Sequence, residues 1–271
     1  MNPRAARRLL LPACLVVGLV ASGATAGAYQ ADPTIDGVTV QGRIKLSGLP
    51  KDPVPIPVYR DDDYCGEAFL GEAVAVDPST HGFGNAIVSL VGVERGKPLI
   101  PSESPLVLEV ESKKCRFFPH VSAAAVGATL EIRNHDPILH NLHVRRETRF
   151  GPTVMNVVQP AGTRSVQKPF PESGFLDVRC DVHAFMSAFI HVFDHPYFAT
   201  TDRTGSFALT KVPPGLYKLR VWHEQFGARE RTINVLSGEN VTVEVEIGAK
   251  NLAPSDMGPA REETSVGSHA R

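Results

Sequence analysis

The sequence predicts an all-β protein arranged as two consecutive units. Three observations carry this reading. Glycine and proline number 23 and 22, and they break the chain into short apolar runs. Several runs alternate with period two: in Gly127 to Arg133, Leu130 and Ile132 fall on one side and Thr129, Glu131 and Arg133 on the other. No coiled-coil heptads compete with that pattern. With 271 residues, 42% hydrophobic and 21% charged, there is material for a sizeable core.

The first segment has the form of a secretory signal. Arg4, Arg7 and Arg8 precede the apolar run Leu9 to Val20, and Ala24-Thr25-Ala26 is a small-residue cleavage site. The apolar run is too short for a transmembrane anchor, and no other segment is expected to span a membrane. Leu11-Pro-Ala-Cys14 faintly resembles a lipidation box, but cleavage there leaves almost no apolar run before it. A periplasmic or secreted location is expected. Loss of residues 1–26 removes three arginines and no acidic residue, taking the formal net charge from −1 to about −4. Without a basic patch interleaved with aromatics, nucleic acid is not an expected partner.

Residues 27–34 read as an exposed leader. Val38 to Leu46 alternates as a first strand. Residues 49–83, rich in Pro, Asp and Gly, read as a long loop with short extended pieces. Asn85 to Val93 and Leu106 to Val110 are the next strands, followed by Gly127 to Arg133 and the turn Asn134-His135-Asp136-Pro137. Leu139 to Val144, Val154 to Val158 and Thr163 to Phe170 continue the series. Gly174 to Cys180 puts Leu176, Val178 and Cys180 on one face and Asp177 and Arg179 on the other. Ala188 to Phe193 is apolar on both faces, as in a buried central strand.

A second unit begins near Pro196. Its strands Tyr197 to Thr201, Thr204 to Leu209, Gly215 to Val221 and two more ending near Ile247 are joined by turns such as Asp202 to Gly205 and Val212 to Gly215. About fifty residues are few for an independent core, so this unit is expected to pack on the first. The expected division is 35–195 and 196–249, with residues 250–271 a polar disordered tail.

Removing the signal leaves Cys65, Cys115 and Cys180. In an oxidising compartment two thiols tend to pair and the third needs a reason to stay free. The expected pair is Cys65 with Cys115, although spacing does not fix connectivity and a buried free cysteine is the bland alternative. Cys180 begins Cys-Asp-Val-His-Ala-Phe-Met, which brings a thiol, the His183 imidazole and the Met186 thioether into one short loop. Two imidazoles and a thiolate with a weak axial thioether form a copper site suited to one-electron cycling. His140 and His143 compete to be the second imidazole. His140 shares its strand face with Leu142 and Val144, the core side, so it is the expected ligand. Asn141 is the expected supporting residue beside it.

The stretch G-A-T-L-E-I-R-N-H-D-P-I-L-H-N resembles the first ligand strand of plastocyanins and other cupredoxins, and C-D-V-H-A-F-M is similar to the amicyanin-type ligand loop. The resemblance implies a cupredoxin-like Greek-key β-barrel or sandwich, with copper held by His140, Cys180, His183 and Met186. T-D-R-T-G-S-F-A-L-T-K-V-P-P-G-L-Y-K-L-R-V-W-H-E resembles carboxypeptidase regulatory-like or transthyretin-like domains, a small β-sandwich. The pairing resembles secreted bacterial proteins labelled methylamine-utilisation or plastocyanin-like.

The remaining histidines have blander readings. His143 reads as a surface strand residue, His120 as a satisfied structural histidine, His135 as solvated, and His191 and His195 as packing or capping residues. Trp222 reads as an interface anchor or simply core, core being the safer reading. No G-x-S-x-G or H-E-x-x-H motif occurs, and Cys180 with His183 makes a weak catalytic pair without an orienting group. The expectation is therefore a non-enzymatic copper electron carrier that meets a redox protein transiently near an exposed His183 edge. The alternative is a copper-carrying or structural envelope module without electron transfer. A role for the second unit in carbohydrate or protein binding is unassigned.

Overall fold

A computed structural model describes residues 28–48, 54–71, 76–100 and 106–248. The expected signal peptide and tail lie outside the described residues. Within them the architecture is all-β, the one helix being the single turn Asp62–Cys65, and no helix is long and apolar enough to cross a membrane.

Two sheets form the first sandwich. One runs in the order Val166–Pro169, Thr129–Asn134, Val107–Ser112, Phe117–Phe118. The other runs Thr153–Gln159, His140–Arg146, Gly174–Arg179, Ser187–Phe193, Val121–Ala125. Their shared core takes Leu130 and Ile132 from the first sheet and Leu142, Val144, Leu176, Val178 and Ile190 from the second. Side chains alternate along a strand, so turning Leu142 and Val144 inward turns His140 inward as well, and Leu176 and Val178 do the same for Cys180. Antiparallel pairing of His143 with Arg179 brings those two positions to one end of the sheet.

The second sandwich departs from the expected division of the chain. Its sheets are Phe198–Thr200, Ile87–Val91, Gly215–His223, Gly227–Val235 and Ser206–Val212, Val38–Leu46, Val241–Ile247. Two strands assigned by sequence to the first unit therefore belong to the second. Val40 pairs in parallel with Val241, and Leu90 pairs with Leu219. The reason is core volume. Val40, Ile44, Val88 and Leu90 are buried in one cluster with Leu219, Val221 and Val243, supplying the apolar surface that the fifty C-terminal residues lack. Gly42 is required by the parallel pairing, because a Cβ there would lie 1.8 Å from the Val243 carbonyl oxygen. The first sandwich is thus inserted between Val91 and Phe198 of the second.

The leader is exposed as expected, and it is also paired: Gln30–Ala31 runs beside Arg95–Gly96, and the Tyr29 hydroxyl donates to the Lys97 carbonyl at 2.5 Å. Two smaller expectations change. Trp222 is an interface anchor, its ring 5.1 Å from Phe175, 5.8 Å from Phe189 and 4.8 Å from His191 across the junction of the sandwiches. Ser187–Phe193 is central in its sheet but serves two packings. Ala188, Ile190 and Val192 enter the first core, while Phe189 and His191 meet Trp222 and Phe193 stacks on Phe198.

Candidate metal centre

The turn after Thr129–Asn134 sets the first donor. The Asn134 side-chain amide donates to the Ile138 and Gln159 carbonyls, each at 2.8 Å, and its oxygen accepts the Asp136 N–H at 2.9 Å. The tightened turn delivers Asp136 to His140, whose Nε2 lies 2.8 Å from the Asp136 carboxylate. Asp136 also accepts the N–H groups of Lys114 and Cys115 and the Tyr64 hydroxyl. Burial works against its charge, but these donors together hold its pKa below the usual carboxylate range.

The loop after Gly174–Arg179 sets the other donors. It closes on itself through the Met186 N–H donating to the His183 carbonyl at 2.9 Å. His183 Nε2 lies 3.0 Å from the Asp61 carboxylate. Behind the thiol, Asn141 Oδ1 accepts the Asp181 N–H at 2.7 Å and the Cys180 thiol at 3.4 Å. Cys180 is the one free cysteine among the described residues, and Cys65 and Cys115 form a disulfide.

These bonds decide the imidazole tautomers. A carboxylate facing Nε2 accepts its hydrogen, which leaves the Nδ1 lone pair of each ring free. The two Nδ1 atoms face each other at 3.1 Å, with Cys180 Sγ 3.9 Å from one and 3.8 Å from the other. Two lone pairs at that distance repel unless a proton or a cation lies between them. A triangle with these sides has a circumradius of about 2.1 Å, close to metal–imidazole and slightly short of metal–thiolate bond lengths. His140, Cys180 and His183 are all buried, and Met186 is fully buried in the same core.

Burial acts on two of these donors in opposite senses. Burial pushes the Cys180 thiol pKa up, opposed by nearby backbone N–H groups. Burial likewise pushes His140 down, keeping its imidazole neutral and able to donate a lone pair. A positive ion beside the sulfur reverses the preference for the neutral thiol.

The structure therefore brings together His140, Cys180 and His183, with Met186 in the same loop and Asn141 behind the sulfur. It corrects two expectations. His183 has no exposed edge, its side chain being 0% exposed beneath Asp61. The cause is the segment around Cys65, which the disulfide folds over the ligand loop. His143 is buried too, bonded to Asp181 at 2.9 Å and to the Thr153 hydroxyl at 2.8 Å. His120 is satisfied as expected, by the Ser187 carbonyl at 2.9 Å and by Glu224 at 2.7 Å across the junction.

Sequence reasoning missed the three carboxylates. Asp136 had a signal, four residues before His140 in a turn. Asp181 had a weaker one, adjoining Cys180. Asp61 had none, lying 122 residues from His183. A further group, Glu109, Glu111 and His135, is at the surface and internally occupied: Arg133 pairs with Glu109, and His135 with Glu111.

Residues 186–248 match the carboxypeptidase regulatory-like domain. The match takes in the last strand of the first sandwich, Ser187–Phe193, with the contiguous part of the second, and leaves out Val38–Leu46 and Ile87–Val91. No curated protein matches. Among solved structures, a reduced amicyanin mutant is similar at 24% identity, covering 35% of this chain and 96% of its own, with a TM-score of 0.29. A purple cupredoxin from Nitrosopumilus maritimus is similar at 18% identity, covering 31% and 98%, with a TM-score of 0.27. A copper-containing nitrite reductase from Thermus scotoductus SA-01 is similar at 22% identity, with a TM-score of 0.28; the match covers 36% of this chain and 25% of the reductase. Residues 186–248 are thus similar to a carboxypeptidase regulatory-like domain.

Proposed function

We propose that this protein is a copper-binding electron carrier of an oxidising compartment outside the cytoplasm. The observation that carries the reading is the convergence of the His140 and His183 Nδ1 atoms with a free, buried Cys180 sulfur. Thiolate, imidazole and thioether donors together favour copper over harder ions. Bound there, copper supplies a one-electron Cu(I)/Cu(II) couple.

The protein's own residues do the rest. Asp136 and Asp61 fix the two rings so that little rearrangement accompanies a change of charge. Asn141 holds the Cys180 sulfur and the start of the ligand loop. Met186 is the weak fourth donor. Burial of every donor excludes water and leaves no approach for a substrate, which favours electron transfer over catalysis. The partner in this reading is another redox protein, and it meets a surface other than the His183 edge. The Cys65–Cys115 bond supports the oxidising compartment.

The test is metal loading of the purified protein. One equivalent of Cu(II) should give an intense visible thiolate-to-copper band, and Cys180→Ser should abolish it. A protein that binds copper without that band, or binds none, contradicts the reading. Reversible one-electron cycling without copper loss distinguishes a carrier from a store.

A further inference from the structure

The segment 54–71 contributes little to either core. The helical turn Asp62–Cys65 buries no residue, and Val54, Ile56, Tyr59 and Leu70 are exposed. Its hairpin pairs only within itself, Pro55–Pro57 with Ala68–Leu70. Yet its inner side meets the metal centre and its rim at several points. Asp61 reaches His183 Nε2 at 3.0 Å, and the Tyr64 hydroxyl donates to Asp136 at 2.8 Å. The Phe69 ring lies 4.8 Å from Phe185 in the ligand loop. Arg116 stacks over Phe69 at 4.2 Å and donates to the Leu70 carbonyl at 2.7 Å. Cys65 is bonded to Cys115, whose N–H also binds Asp136.

We propose that residues 54–71 are a cover latched over the centre by the Cys65–Cys115 bond, and that Asp61 is the positioning residue that holds His183 as a donor. The proposal rests on the copper-site reading above. A carboxylate on the outer nitrogen of a ligating histidine fixes both tautomer and ring orientation, and loss of such a partner typically weakens metal binding about 10- to 100-fold. Asp136 does this for His140 from within the same turn. The carboxylate in the loop of His183, Asp181, is turned to His143, and His183 receives its own from the distant cover. With so little buried surface, the cover is an element of low local stability unless the disulfide keeps it seated. Its function is to keep the ion from leaving through the His183 side.

Asp61 has a left-handed backbone with φ 56°. Glycine and asparagine both accept that conformation, so Asp61→Gly removes the carboxylate without strain and Asp61→Asn keeps an acceptor without the charge. Copper-loaded full-length protein is reduced and challenged with an excess of a Cu(I) chelator. The electron paramagnetic resonance spectrum of the Cu(II) form and the melting temperature of the metal-free form are recorded alongside. Asp61→Gly should release copper at least about 10-fold faster with altered copper hyperfine splitting and an unchanged metal-free melting temperature. Asp61→Asn should be intermediate, and the Cys65→Ser/Cys115→Ser double variant should also release faster. Wild-type release and an unchanged spectrum in Asp61→Gly overturn the cover and leave the copper centre standing. Should that variant not fold, the same unchanged result in Asp61→Asn and the double-serine variant overturns it. Failure of the wild type to take up copper overturns both readings.

Discussion

His140 and His223 are both buried histidines on strands, one in each sandwich, and they are satisfied differently. His140 has a carboxylate on its outer nitrogen, while its inner nitrogen faces a second imidazole and a thiol. His223 lies against the rings of Phe83 and Phe226, at 5.2 and 5.0 Å, and its Nδ1 accepts the Gln225 N–H at 3.2 Å. Burial pushes its pKa down to about 4, with only weaker opposition from Glu224. The difference teaches how to tell a site from a core. Burial lowers the pKa of both, so charge does not separate them; a histidine that only packs is enclosed by rings. A histidine built to donate is oriented by a carboxylate, and its free lone pair points at other donors.

The comparison breaks most sharply at the sulfur. Cys180→Ser should remove the thiolate-to-copper band entirely while His223→Phe leaves it intact, which visible spectra of copper-loaded proteins will show. If the two sandwiches keep separate cores, Leu219→Ala should cost the second one about 2–5 kcal/mol by cavity formation without changing the band; chemical denaturation followed by Trp222 fluorescence and by the copper band separates the two.

Acid should act on His223 next. In the unfolded chain its pKa returns to about 6.5, so between pH 6.5 and about 4 the unfolded state binds a proton that the native state does not. Stability contributed by the neutral ring is present above pH 6.5 and is lost as pH falls through that window, by up to about 3 kcal/mol. His223→Phe should lack this loss, so the difference in unfolding free energy between variant and wild type should change between pH 7 and pH 4. The smallest effect is expected for Asn141→Ala. It leaves the Asp181 N–H without its acceptor at a cost of about 1–3 kcal/mol, and it should shift the copper band without removing it.

Much of the first sandwich was legible because strand parity is local. Leu142 and Val144 pointed His140 inward, Leu176 and Val178 did so for Cys180, and both inward faces are as read. Local patterning also found Val38–Leu46, with the bounds the structure has. What it lacked was the sheet that strand joins, since alternation reports a buried face and says nothing about which partner buries it. Asp61 was hidden for a related reason. Its role depends on a crosslink and a fold-back, and no spacing in the chain encodes the 3.0 Å contact with His183. Trp222 read as core because its size demands burial, and a surface buried by another unit satisfies that demand as well.

The inserted arrangement has a consequence for the order of folding in a chain that emerges N-terminus first, from the ribosome or from an export channel. Val38–Leu46 emerges early, but its parallel partner Val241–Ile247 is made last of all the described strands. Every strand of the first sandwich lies between them and is complete once Phe193 has emerged. Long-range pairings close slowly, whereas a contiguous unit can begin to fold while the rest of the chain is still emerging. The donor residues are therefore assembled while the outer sandwich still waits for its closing strand, its early strands exposed to other chains in the interval.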